Sequence, residues 1–150
     1  MCRQKFFAKT VSGLLIAICL ILPAAPIAEN KPVAPDDIAG GKTISAEQMI
    51  ELILARPGVI VIDSRKRTEY LKGHIEGAIN LLNTSMTLAS LQQFVPDLAT
   101  DIVFYCNGVR CKRSSDAVIK AVSWGYKNVY WYRGGWKEWT DKKLPYITDE

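Results

Sequence analysis

The run Val59-Ile60-Val61-Ile62 constrains this chain more than any other stretch. Four consecutive β-branched residues give a strand that is apolar on both faces, and such a strand has to be covered on both. Pro57-Gly58 precedes it and Asp63-Ser64-Arg65 ends it. The flanking sequence should therefore alternate helix with strand, and it does. Upstream, Ser45 with Gln48 three residues on fits a capping box, and Ile44 is placed to staple the entry. Met49, Ile50, Leu52, Ile53 and Leu54 then recur at near-helical spacing until Pro57-Gly58 stops them. Downstream come a polar turn, a short segment from Thr68 to Lys72, and an extended piece bracketed by glycines within Gly73 to Leu81. The pattern predicts a weaker helix over Leu88 to Leu98 ending around Pro96, a strand over Ile102 to Tyr105, and an amphipathic helix opened by Ser114 and Ser115. An aromatic strand, Val129 to Tyr132, and a short helix at Trp136 to Trp139 follow. The expected fold class is α/β, a small parallel β-sheet flanked by helices on both faces, with its site at the carboxyl ends of the strands.

The chemistry concentrates after the second apolar strand. Ile102 to Tyr105 ends abruptly at Cys106, and Asn107-Gly108-Val109-Arg110-Cys111-Lys112-Arg113 leads into the helix. A cysteine there faces the N–H groups of a loop and of a helix N-terminus, both of which favour negative charge. Arg110, Lys112 and Arg113 add positive potential. A free thiol titrates near pH 8.5, so a depression of about two units makes it mostly thiolate at neutral pH. The rival reading is a small apolar cysteine buried at a strand end, with solvated cations nearby.

Residues 1–28 read as an export segment. Arg3, Lys5 and Lys9 form a charged head, Val11 to Leu22 is an apolar run of 12 residues, and Pro23-Ala24-Ala25-Pro26-Ile27-Ala28 is a small-residue end broken by proline. That is the pattern of a secretory signal peptide, and an uncleaved N-terminal anchor is the alternative, because Pro26 sits where a cleavage site wants a small residue. The expected location is the bacterial periplasm, or the inner membrane if the segment is retained. Glu29 to Ile44, with Lys31-Pro32, Pro35-Asp36-Asp37 and Gly40-Gly41, reads as a linker or loose arm, leaving 45–150 as the domain. Without the first 28 residues the 19 Lys and Arg fall to 16 against 15 Asp and Glu, so the net charge of +4 belongs mostly to the export segment and gives no argument for nucleic-acid binding. Of four cysteines, only Cys106 and Cys111 lie outside that segment. A bridge between residues five apart would close almost no chain, so the pair reads as one reactive thiol and a neighbour that resolves or protects it.

Three stretches together resemble a rhodanese-type (sulfurtransferase) domain. The first is Asp63-Ser64-Arg65 with Glu69-Tyr70 and Gly73-His74-Ile75-Glu76-Gly77-Ala78-Ile79-Asn80. The second is the Tyr105-Cys106 loop, and the third is Gly134-Gly135-Trp136 with Trp139 and Leu144-Pro145. The resemblance spans about Ser45 to Tyr146 and implies a sulfurtransferase. Sulfane sulfur from thiosulfate or a related small anionic donor would pass to a thiol, cyanide or other thiophilic acceptor. The intermediate would be a covalent persulfide on Cys106, with no separate cofactor. Asn107, Gly108, Val109, Arg110, Cys111 and Lys112 are the expected substrate-binding residues. Gly108 to Cys111 would supply backbone donors, and Arg110 the charge partner. Asp63 and Arg65 are expected to hold the loop as a buried pair, and Trp136, Trp139 and His74 to be structural. The loop departs from many members in having one residue rather than two between the cysteine and the glycine, and in its second cysteine.

Other classes fit less well. A cysteine phosphatase or arsenate-type reductase places arginine six residues after the cysteine; Lys112 stands there, and lysine is a poor bidentate clamp. A periplasmic thiol–disulfide protein or a sulfur-carrier module could use Cys106 and Cys111, with a periplasmic redox protein as partner. One histidine and two close cysteines disfavour a metal site, and no phosphate-loop or dinucleotide pattern is present.

Overall fold

The computed structural model describes residues 34–149. Five strands form one sheet: β1 (Gly41–Ile44), β2 (Ile60–Asp63), β3 (Ile79–Asn80), β4 (Asp101–Tyr105) and β5 (Asn128–Tyr132). Their order is β1-β5-β4-β2-β3, and every pairing is parallel. The helices are α1 (Ala46–Ala55), α2 (Arg67–Leu71), α3 (Leu88–Gln92), α4 (Lys112–Ser123) and α5 (Gly135–Asp141). The α/β class with helices on both sides of a parallel sheet is therefore the observed one.

Alternation along the central strand explains both layers. Ile102 and Phe104 of β4 join Ile62, Val129 and Trp131 under Ala117, Val118 and Ala121 of α4. Val103 and Tyr105 point the other way, with Val61, Tyr130 and Tyr132, against Ala46 and Met49 of α1 and Trp139 of α5. These strand residues are almost all fully buried. Each large apolar side chain so placed contributes about 1.5–3 kcal/mol, which is why the sequence has no polar alternation here. Ser45 caps α1 as expected: its hydroxyl accepts from the Gln48 amide, and the Gln48 side chain accepts from the Ser45 amide.

Three expectations are corrected. The linker expected over 29–44 is, from residue 34 on, part of the fold. Ala34 and Ile38 are buried in the core, and 41–44 is the edge strand β1, in register with Val129 to Tyr132. The helix expected over Leu88 to Leu98 is only α3. Pro96 forces the residue before it towards extended backbone, so the chain leaves α3 through a turn in which the Phe94 and Val95 amides both bond to the Leu91 carbonyl. Finally, α4 begins at Lys112 with Cys111 as its N-cap, ahead of Ser114 and Ser115. Both serines are buried within its first turns: Ser114 accepts from the Trp131 indole, and Ser115 donates to the Lys112 carbonyl. The export segment expected at 1–28 lies outside the described residues. Among those described, no helix is long and apolar enough to cross a membrane.

Candidate active site

The ends of β2 and β4 set a buried platform. Asp63 pairs with Tyr105 in register, and the residue that follows β4 is Cys106. Both Asp63 carboxylate oxygens accept from Arg65, one at 2.6 Å, and the Tyr105 hydroxyl donates to the same carboxylate at 2.7 Å. Arg65 also donates to the Gly73 carbonyl, and its guanidinium lies 4.5 Å from the Trp136 ring centre. Burial works against the Arg65 charge, but the bonds and charge of Asp63 outweigh it and hold the guanidinium above its usual value. Burial, then the Asp63 charge, pushes the Tyr105 phenol far above its usual value, so it stays a donor. Asn80 ties this platform to β3 by donating to the Asp63 and Arg65 carbonyls. As expected, Asp63 and Arg65 are a buried pair beneath the loop.

The loop after β4 has a polarised backbone. Four successive carbonyls are tied inward. Cys106 accepts from the Trp136 amide at 2.8 Å, Asn107 from the Lys137 amide at 3.0 Å, Gly108 from the Cys111 amide at 2.8 Å, and Val109 from the Ala34 amide at 3.3 Å. The amides of Gly108, Val109 and Arg110 bond to no described protein group. The same loop lines a cavity of about 710 Å³, from Asn107 to Cys111 with Arg113 and Lys137. A run of N–H groups without acceptors of their own is an anion cradle. Gly135 makes the arrangement possible. It has φ of +58°, and a Cβ there would overlap the Cys106 carbonyl oxygen and lie 2.9 Å from the Gly108 nitrogen.

The expected site residues separate on inspection. Cys106 is buried at the strand end, and its sulfur is bonded to that of Cys111 across a Cα–Cα distance of 6.3 Å. The neighbour that the sequence suggested would resolve or protect the thiol is thus in bonding contact with it. Gly108, Val109 and Arg110 keep open amides, whereas Cys111, expected as a fourth donor, spends its amide on Gly108 to close the turn. Asn107 is a loop anchor rather than a free ligand: its side chain donates to Glu69 at 2.6 Å. Arg110 is exposed on the cavity lining and Lys112 is exposed outside it, and neither forms an ion pair among the described residues. The cation against the sulfurs is Arg113, not Arg110. Its Nε donates to Cys111 Sγ at 3.2 Å, while the same guanidinium pairs with Glu69 at 2.7 Å. The early start of α4 is the reason, because it turns the second helical residue back across the loop. Glu69 is the other residue missed. Partial burial would raise its pKa, but Arg113, Asn107 and the Lys66 amide overcome this and bring it down to about 2. Its distance in sequence from Asn107 and Arg113 hid the role, although Gly134-Gly135 was visible as a motif. His74 is buried, stacked on Tyr70 and bonded to the Tyr70 carbonyl, away from the loop. Trp139 is a core residue whose indole donates to the Pro145 carbonyl, and Trp136 covers Arg65. Among the described residues, no cluster of His, Cys, Asp or Glu could hold a metal ion.

A parallel α/β sheet that carries a cysteine just past the end of its central strand, where a loop of open amides begins, defines a class of cysteine-bearing domains. Within that class, the chain belongs to the rhodanese-like domain family, whose model matches residues 45–142. A tRNA uridine(34) hydroxylase of Photorhabdus laumondii is 33% identical over 108 residues, covering 68% of this chain and 29% of that protein. The chain thus spans less than a third of the length of that curated relative. In fold it resembles a thiosulfate sulfurtransferase of Pseudomonas aeruginosa, with TM-score 0.62 and 22% identity over 75% of this chain and 21% of that one. It likewise resembles a polysulfide-sulfur transferase homodimer of Wolinella succinogenes, with TM-score 0.54 and 21% identity over 73% and 80% of the two chains.

Proposed function

We propose that this domain is a sulfurtransferase that works through a persulfide on Cys106. The observation that carries the reading is the polarised loop: carbonyls 106–109 are tied inward and amides 108–110 are left open beside the cysteine. That backbone suits a small anion carrying a sulfane sulfur, thiosulfate or a near relative, with the exposed Arg110 and Lys112 to attract it. Once the Cys106–Cys111 bond is opened by reduction, the Cys106 thiolate attacks the outer sulfur. The donor's S–S bond breaks, and sulfite leaves with the electron pair. The sulfane sulfur would then pass to a thiol, cyanide or another thiophilic acceptor, with no separate cofactor. Hydroxylation of a tRNA uridine is not carried over from the longer relatives, because this chain matches under a third of their length.

The test is the intact mass of the reduced full chain before and after thiosulfate. Release of about one sulfite per chain in the wild type, with a gain of about 32 Da that persists where Cys111 is replaced by serine, both absent in Cys106→Ser, is the expected result. No gain, with sulfite undetected, overturns the reading. The bonded cysteine pair favours a second reading, dithiol–disulfide exchange with a periplasmic redox protein. Its signature is a loss of about 2 Da that needs both cysteines and no donor sulfur. We also assign residues 1–28 to export into the periplasm, with inner-membrane anchorage as the alternative. Cell fractionation and the N-terminal residue of the recovered protein distinguish the two.

A further inference from the structure

We infer that Cys111 is a resolving cysteine that discharges the Cys106 persulfide as hydrogen sulfide, which makes the domain a sulfide-releasing reductase of sulfane sulfur. The inference rests on the persulfide reading above and adds a product and a partner to it. Three observations carry it. The two sulfurs are in bonding contact, so Cys111 reaches the inner sulfur of a Cys106 persulfide with little more than a side-chain rotation. Cys111 is the N-cap of α4, a helix of 12 residues, and no side-chain capping bond occupies it. Arg113 Nε donates to its sulfur at 3.2 Å. A helix N-terminus and a guanidinium both stabilise thiolate, so Cys111 has the surroundings of an attacking group. The Arg113–Cys111 contact has no use in a mechanism that needs only one sulfur.

The step balances. The Cys111 thiolate attacks Cys106 Sγ and forms the Cys106–Cys111 bond. The bond from Cys106 Sγ to the outer sulfur breaks, and the outer sulfur leaves with the electron pair as HS⁻. The open amides of Gly108, Val109 and Arg110 are where that charge is received. The sulfane sulfur is reduced by two electrons, and the two cysteines are oxidised to the disulfide. The structure then shows the state after discharge, and a second turnover requires a dithiol reductant to reopen the bond. The partner is therefore a dithiol protein of low potential rather than a single small thiol. It would meet the half-exposed Cys111 at the cavity mouth and leave the buried Cys106 as leaving group.

The experiment uses the full chain, reduced, freed of reductant and mixed with excess thiosulfate, with sulfite, sulfide and intact mass followed together. For the wild type the expected result is roughly one sulfite and one sulfide per chain, and a final mass about 2 Da below the reduced protein. Cys111→Ser should release sulfite, give sulfide at a yield at least about tenfold lower, and stay about 32 Da heavier. Cys111→Ala, the second variant, should behave alike. Arg113→Gln should shift the pH profile of sulfide release upward relative to that of its own sulfite release, because its attacking thiol has lost its cation. Adding a dithiol should restore turnover in the wild type by reopening the Cys106–Cys111 bond. Sulfite with a stable gain of about 32 Da and no sulfide from the wild type would overturn this inference and leave the persulfide reading intact. No sulfite from any variant overturns both.

Discussion

Two carboxylate–guanidinium pairs lie at the same end of the sheet and do different things. Asp63 and Arg65 have side-chain exposures of 0% and 2%, while Glu69 and Arg113 have 33% and 24%. The chemistry is the same, and burial decides the role. The inner pair is held on every side, by Tyr105, the Gly73 carbonyl and the Trp136 ring, and fixes where β4 ends. The outer pair bridges α2 to the loop and to Cys111, and water reaches it. A buried pair is costly to break because the survivor is an uncompensated charge, whereas an exposed pair adds little stability and can still aim a side chain.

Substitutions rank by this contrast. Arg65→Met strands the Asp63 carboxylate and should cost about 3–5 kcal/mol in denaturant unfolding, with sulfur loading lost along with the fold. If it proves as mild as an outer-pair variant, the distinction by burial fails. Gly135→Ala puts a methyl group against the Cys106 carbonyl at positive φ, and should cost about 2–3 kcal/mol. Its persulfide yield should fall even in the fraction that remains folded, since the cradle is displaced. Glu69→Gln should cost about 1 kcal/mol or less. Its effect should show in slower sulfur loading, because Asn107 and Arg113 lose their common acceptor. The smallest effect is with pH. The Glu69 carboxyl is lowered to about 2 from an ordinary 4.5, so its contribution is complete above the upper value and is lost as the pH falls towards the lower. Stability of the wild type minus that of Glu69→Gln, followed from about pH 6 to about pH 2, should shrink steadily as the pH falls. A constant difference would remove Glu69 from the titrating groups.

What the sequence disclosed follows the range of each interaction. The capping box of α1 and the apolar strands are written in neighbouring residues, so their elements were readable. β1 was not, because Gly41-Lys42-Thr43-Ile44 has no strand signal of its own and exists through its pairing with β5, 88 positions away in the register Gly41 to Val129. The cysteine was legible from the abrupt end of β4. The cation that attends its bonded partner, Cys111, was not. Arg110, Lys112 and Arg113 look equivalent in a row, and only the turn closed by the Cys111 amide and the start of α4 at Lys112 select Arg113. Asn107 looked like a ligand for the same reason: its partner, Glu69, sits on α2.

The inward-tied carbonyls have one more consequence, which concerns refusal rather than binding. A loop that has tied the carbonyls of residues 106–109 inward offers few acceptors to a metal ion, an ammonium group or a sugar hydroxyl, so the mouth discriminates against such solutes before they meet the sulfur. The outermost of these four carbonyls, at Val109, is occupied by the amide of Ala34, the first residue of the described chain. Cutting the arm back past that point would hand the mouth a free carbonyl and make the screen leakier, with the sheet and both cysteines untouched.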